Sequence, residues 1–121
     1  MKVGVVKEAA PGERRVALTP DVVTALRDSD VLVEAGAGES AGFPDSAYEE
    51  AGATVVPRDD LYESADVVVC VNPPAPDCTR SGQVLVGLLR PAERPERVRE
   101  WARRGVTAVS LDLLPRTLPR A

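Results

Sequence analysis

The sequence has no histidine in 121 residues, which removes the commonest general base and the usual nucleophilic triads. Cysteine is nearly absent too. Cys70 sits in an apolar run and Cys78 in a Pro/Asp-rich loop. No histidine or second cysteine pair stands nearby to complete a metal site, so both are read as free thiols and no metal is expected. No apolar run reaches the roughly 18 to 20 residues of a membrane span, and the opening MKVGVVKE reads as a short strand rather than a signal peptide. A cytoplasmic protein is the expectation. Lysine is also scarce: thirteen of the fifteen basic residues are arginine, a bias that points to a high-GC bacterial genome more than to a need for guanidinium groups.

What remains is 44% apolar and 28% charged with a formal net charge of −4, the make-up of an ordinary soluble globular domain. The acidic balance argues against a nucleic-acid partner. The length suits one domain and is too short for a complete two-domain dehydrogenase.

Residues 2–6 alternate as a strand, and Thr19-Pro20-Asp21 opens a helix, with Thr19 placed to cap and Val22, Val23 and Leu26 at helical spacing. Residues 31–35 read as a second strand, 44–51 as a helix ending at Gly52, 53–56 as a third strand, and 59–63 as one helical turn. The apolar run 65–71 suits a central strand buried on both faces, and the PPAPD segment 73–77 forbids its continuation. Residues 84–89 form another strand, 95–104 a helix with Val98 and Trp101 inward and Gly105 as its stop, and 106–111 a last strand. Strand and helix alternate throughout, so the expected fold is α/β, Rossmann-like (flavodoxin-like), with a mostly parallel sheet and flanking helices. Ligands of such sheets sit beyond the carboxyl ends of the strands, where loops 7–19, 36–44, 72–82, 89–95 and 112–121 gather.

Two segments invite a chemical reading. VLVEAGAGESAGF, residues 31–43, carries G-x-G-x-x-A spacing at Gly36, Gly38 and Ala41. A dinucleotide fingerprint must open a helix directly, so that its first amides meet the pyrophosphate. Here the helix starts several residues late, at Pro44 or Asp45, and Glu39 would set a negative charge where phosphate belongs. A tight small-residue turn accounts better for the spacing. In KEAAPGERRVALTP, residues 7–20, Arg15 precedes an apolar turn. Its guanidinium can clamp a carboxylate or phosphate, or it can close the loop by pairing with Glu8 or Glu13; composition leaves both open.

KEAAPGERRVALTP, VEAGAGESAGFPDSAYEEAGA, ADVVVCVNPPAP, LLRPAERPE and SLDLLPRTLPRA together resemble the amino-terminal domain shared by alanine dehydrogenase and the alpha subunit of the proton-translocating NAD(P) transhydrogenase. The resemblance covers residues 1–121 in order and nearly without gaps. Its dehydrogenase branch implies a substrate-carboxylate arginine in E-x-R-V-A, a lysine in K-V-K-E-P and a histidine in Y-L-H. Arg15 matches the first, but Asn72 stands at the lysine's place and Leu89 at the histidine's. Its transhydrogenase branch is closer in V-N-x-P (residues 71–74), in Pro91-Ala92 and in Asp112-Leu113-Leu114-Pro115-Arg116.

That branch implies hydride transfer from NADH to NADP+ coupled to proton translocation, with NADP(H) bound by another subunit or domain and no catalytic residue from this domain. It implies cofactor binding by Arg116, which matches the arginine of an L-x-P-R segment near the nicotinamide, and leaves Arg15 as a loop organiser or a remnant of the carboxylate site. It also implies membrane and NADP(H)-binding partner subunits, a homodimer, and a peripheral place on the cytoplasmic face of the inner membrane without direct insertion. The family's true fingerprint belongs to a following Rossmann domain, and a carboxyl-terminal helix returns to complete the first. The chain is therefore expected to be an incomplete first domain that binds NAD(H) very weakly alone. An alanine dehydrogenase-like oxidoreductase domain and a non-catalytic α/β interaction module are the alternatives.

Overall fold

The computed structural model describes residues 1–26 and 28–113. Six strands, β1 (Lys2–Val5), β2 (Asp30–Glu34), β3 (Thr54–Val56), β4 (Val67–Val69), β5 (Val84–Gly87) and β6 (Thr107–Ser110), alternate with helices α1 (Pro20–Ala25), α2 (Asp45–Glu50), α3 (Arg58–Ser64) and α4 (Pro95–Arg103). All strand pairings are parallel and the sheet order is β3-β2-β1-β4-β5-β6. This is the doubly wound Rossmann order, whose direction of growth reverses between β1 and β4. The α/β expectation holds, and residues 65–71 do supply a central strand. The strands are shorter than the apolar runs that announce them, although backbone bonds between neighbouring strands continue past their ends, as from the Leu88 N–H to the Val71 carbonyl at 3.2 Å.

The pleat sends two rows of side chains to opposite faces. Leu32, Gly4, Val68, Leu85 and Ala108 lie side by side in register and meet α3 and α4 through Leu61, Tyr62 and Trp101. The adjacent row runs Val33, Val5, Val69, Val86, Val109 on the side of Val23 of α1 and Tyr48 of α2. Exposure climbs along that second row: Val33 and Val5 are 0% exposed, Val69 and Val86 half-buried, Val109 43% exposed. Helices α1 and α2 thus cover the β1–β3 half and leave β4–β6 partly bare on that face.

Local signals behave as their chemistry dictates, with one exception. Pro20 occupies the first turn of α1 and Thr19 its N-cap position in extended conformation, yet the Thr19 side chain makes no capping bond. The Val23 N–H donates instead to the Thr19 backbone carbonyl at 3.1 Å. Trp101 is fully buried and its indole N–H has no acceptor among the described residues. Among those residues no helix is long and apolar enough to cross a membrane, and no group of three or more His, Cys, Asp or Glu is placed to hold a metal ion.

Candidate functional site

The carboxyl ends of the strands gather the loops at one edge, as a parallel sheet must. A cleft of about 530 Å³ opens there between the loops that follow β1, β4 and β5. It spans the β1/β4 switch point and lies within the size range of small-molecule pockets.

Carboxylates tie these loops together. Glu8 accepts the backbone N–H groups of Val71 and Asn72, both at 2.8 Å, joining the first loop to the one after β4. The Asn72 amide donates to Glu13 at 2.8 Å and, at 3.4 Å, to Glu8. Glu13 also takes the Arg15 backbone N–H at 2.9 Å and its guanidinium at 2.9 and 2.8 Å. These bonds hold the Glu13 carboxyl well below the usual carboxylate range: the Arg15 side chain contributes most, then the Arg15 backbone, then Asn72. A third carboxylate, Glu34 at the end of β2, is 5% exposed and accepts the Lys7 N–H at 2.9 Å and Arg58 Nε at 3.1 Å.

Arg15 is therefore engaged with a residue two positions away, with 61% of its side chain exposed, and it does not line the cleft. Of its two readings the structure displays the loop-closing one, through Glu13 rather than Glu8. Asn72 lines the cleft, but its amide is spent bridging two carboxylates. Leu89 is 1% exposed and belongs to the core, so its side chain presents nothing to a ligand. Arg116 lies outside the described residues, as do Leu114 and Pro115; of that motif only Asp112 and Leu113 are within. Asp112 accepts the Arg90 N–H at 3.2 Å and the Ser110 hydroxyl, and Ser110 Oγ in turn accepts the Leu89 N–H at 3.1 Å.

The glycine stretch is occupied with its own turn. The N–H groups of Ala37, Glu39, Ala41, Gly42 and Phe43 donate to carbonyls within residues 34–39, and that of Gly36 to Asp45 at 2.9 Å. Gly36 (φ +82) and Gly42 (φ +90) are in the left-handed region that favours glycine. Gly38 is small for a different reason: a Cβ there would lie 2.6 Å from Tyr48 Cε2 and 2.8 Å from the Phe43 carbonyl. A 3₁₀ turn at Glu39–Ala41 intervenes, and α2 begins only at Asp45. The turn reading of the stretch holds, since these amides point at protein rather than at a phosphate.

Neither thiol is a poised nucleophile. Burial, with Glu8 second, pushes Cys70 up to about 12, and its S–H faces the Val86 carbonyl at 3.5 Å. Cys78, half-buried in the cleft lining, is raised as well, by burial first and then by Asp77. The Tyr62 phenol is raised chiefly by burial. Sequence reasoning missed Glu34, Arg58 and the cleft's arginines. A charged residue ending an apolar strand, as Glu34 does, was the available signal for the first.

The sequence matches the family "Alanine dehydrogenase/PNT, N-terminal domain" over residues 4–120. It is 39% identical over 122 residues to the NAD(P) transhydrogenase subunit alpha of Cereibacter sphaeroides, covering 96% of this chain and 23% of that one. It is 40% identical over 126 residues to the alanine dehydrogenase of Bacillus subtilis (strain 168), covering 98% and 33%. Among solved structures, the transhydrogenase from Sinorhizobium meliloti superposes with a TM-score of 0.91 at 36% identity, over 97% of this chain and 36% of that one. An L-alanine dehydrogenase superposes with a TM-score of 0.86 at 37% identity, over 91% and 32%. The chain thus spans about a quarter to a third of the curated relatives' length. Sheet order, the late start of α2 and the match over residues 4–120 agree: the chain belongs to the family of alanine dehydrogenase/PNT amino-terminal domains.

Proposed function

We propose that the chain serves as the first domain, residues 1–121, of the NAD(H)-binding alpha subunit of a proton-translocating NAD(P) transhydrogenase. Such an enzyme moves hydride from NADH to NADP+, the NADP(H) being held by another subunit or domain. One observation carries the preference over alanine dehydrogenase: at the two positions where that branch has its lysine and histidine, Asn72 is locked between Glu8 and Glu13, and Leu89 is sealed in the core. No proton donor for amino-acid chemistry stands at either place.

Nicotinamide, when bound, supplies the hydride chemistry. The chain's own part is to position it and exclude water from it. In this reading Arg116 orients the nicotinamide end through its carboxamide or a neighbouring phosphate, and Arg15 organises its loop through Glu13. The half-covered strip Val69, Val86, Val109 supports a domain that works against further polypeptide, including a second NAD-binding domain, within a dimeric alpha subunit on the cytoplasmic face of the inner membrane.

The test is assay of the full-length protein that carries this domain, together with its partner subunits. NADH-to-NADP+ hydride transfer, weakened at least several-fold in KM for NADH by Arg116→Ala, supports the reading. NADH oxidation that depends on pyruvate and ammonia overturns it. Residues 1–121 alone are expected to bind NADH far more weakly than micromolar, as read by calorimetry.

A further inference from the structure

In a protein with a formal net charge of −4, the cleft wall is unexpectedly basic. Lys7, Arg58, Arg90, Arg94 and Arg97 line it against two carboxylates, Glu8 and Glu93. Glu8 is consumed by the Val71 and Asn72 amides and Arg58 by Glu34. Arg94 reaches Glu96 only at 4.0 Å, in a pair more than half exposed on both sides. The side-chain cations of Lys7, Arg90 and Arg97 have no ion-pair partner among the described residues.

Arg90 is also the one non-glycine described residue with positive φ, at +49, and the Glu93 and Arg94 N–H groups both donate to its carbonyl at 3.1 Å. Arg90, Arg94 and Arg97, from this turn and the start of α4, all line the cleft. Pro11, Pro73 and Pro74 line the cleft alongside them; as prolines they have little freedom to collapse into it. Guanidinium groups gathered in a cleft of about 530 Å³ match an oxyanion with several acceptor oxygens.

We propose that this cleft, on the α3/α4 side of the β1/β4 switch point, binds a phosphate or pyrophosphate group through Arg90, Arg94 and Arg97. The site is separate from the glycine stretch, and it stands whether or not the transhydrogenase reading does.

The experiment titrates inorganic pyrophosphate into residues 1–121 at fixed ionic strength, following backbone amide shifts and heat. Saturable binding with a Kd of about 1 mM or tighter is expected, with shifts confined to residues 7–11, 72–78 and 90–97. Arg97→Gln and Arg94→Gln should each weaken it about tenfold, the loss of one charge-assisted contact. Arg99→Gln with Arg103→Gln, which removes two exposed positive charges from α4 outside the cleft, should leave it unchanged. Absence of saturation, or equal weakening by the Arg99/Arg103 pair, overturns the proposal. A competition arm then separates the sources: NADH that displaces pyrophosphate identifies a dinucleotide, and ribose 5-phosphate that displaces it where NADH does not identifies a free phosphorylated metabolite.

Discussion

Replacing Gly38 by alanine decides what the glycine stretch is for. Gly38 has φ −97, which an alanine adopts without strain. The obstacle is purely steric: the new Cβ would sit 2.6 Å from Tyr48 Cε2, 2.9 Å from the Tyr48 hydroxyl and 2.8 Å from the Phe43 carbonyl. Tyr48 is fully buried and donates to the Leu18 carbonyl at 2.8 Å, and the Phe43 N–H closes the turn on the Gly38 carbonyl at 2.8 Å. Overpacking of this kind costs about 1–3 kcal/mol, and losing the tyrosine hydrogen bond adds about 1 kcal/mol. A total near 3 kcal/mol lowers the melting temperature by roughly 10 °C in a domain of this size. Urea unfolding followed by fluorescence of the single tryptophan, Trp101, reads it directly. Gly36→Ala should cost less, about 1 kcal/mol, because the strain there is one left-handed residue and the nearest atom to the new Cβ is the flexible Lys7 Nζ at 3.4 Å. Combining Gly38→Ala with Tyr48→Leu should cost less than the sum of the two, since the clash goes with the ring. If Gly38→Ala stays within about 0.5 kcal/mol of the parent while pyrophosphate binding is lost, the packing argument is wrong and the cradle reading returns.

Other perturbations have equally definite outcomes. Native chain treated with iodoacetamide at pH 8 should gain its first adduct at Cys78, as read by peptide mass spectrometry. Cys70, raised to about 12, is then thiolate in only about one molecule in ten thousand. Because its folded value exceeds the ordinary 9.0, the contribution of Cys70 to stability is whole below pH 9 and is lost as pH rises towards 12; Cys70→Ala should flatten that alkaline slope. Glu8→Ala strands the Val71 and Asn72 amides and should cost about 3 kcal/mol, measured by urea midpoint. Trp101→Phe exchanges an orphaned indole N–H for lost volume and should stay within about 1 kcal/mol of the parent, whereas Trp101→Ala should cost about 3–5 kcal/mol. The depressed Glu13 carboxyl contributes stability that is present above its ordinary 4.5 and lost as pH falls through its folded value. Arg15→Gln should therefore be less stable than the parent at pH 7 and converge with it in strong acid.

The architecture was legible because each element is announced locally. The unbroken apolar run around Val67, Val68 and Val69 marks a strand covered on both faces, Pro20 marks a first helical turn, and the residues between Ala41 and Asp45 delay α2 enough to rule out a fingerprint. The site was less legible because its bonds span the sequence. Glu8 reaches amides 63 and 64 positions away, and Glu34 reaches Arg58 across 24. No periodicity in a single sequence encodes which carboxylate meets which amide. Arg15 shows the same limit in miniature: the sequence offers it both Glu8 and Glu13, and only the loop's conformation selects Glu13. In composition the arginines of the cleft read as bias, and only the fold brings Arg90, Arg94 and Arg97 to the lining of one cleft.

Three carboxylates that could have acted as bases near the switch point are instead committed as acceptors. Glu8 holds two backbone amides, Glu13 a guanidinium and an amide side chain, and Glu34 a backbone amide and a guanidinium. A general base needs a lone pair free to take a proton at its reacting partner, and these lone pairs fix loops. The sequence has no histidine to take over that role. Hydride transfer between nicotinamides is compatible with that arrangement, since its barrier falls through alignment of two rings and removal of water rather than through proton transfer. A loop edge held by spent carboxylates, beside a cleft with unspent cations, fits the proposed role of positioning an anionic cofactor that carries the chemistry itself. The exposure gradient from Val5 to Val109 extends this division of labour to the sheet: the β1–β3 half is finished by the chain's own helices, and the β4–β6 half presents the apolar strip on which the proposed further polypeptide would pack.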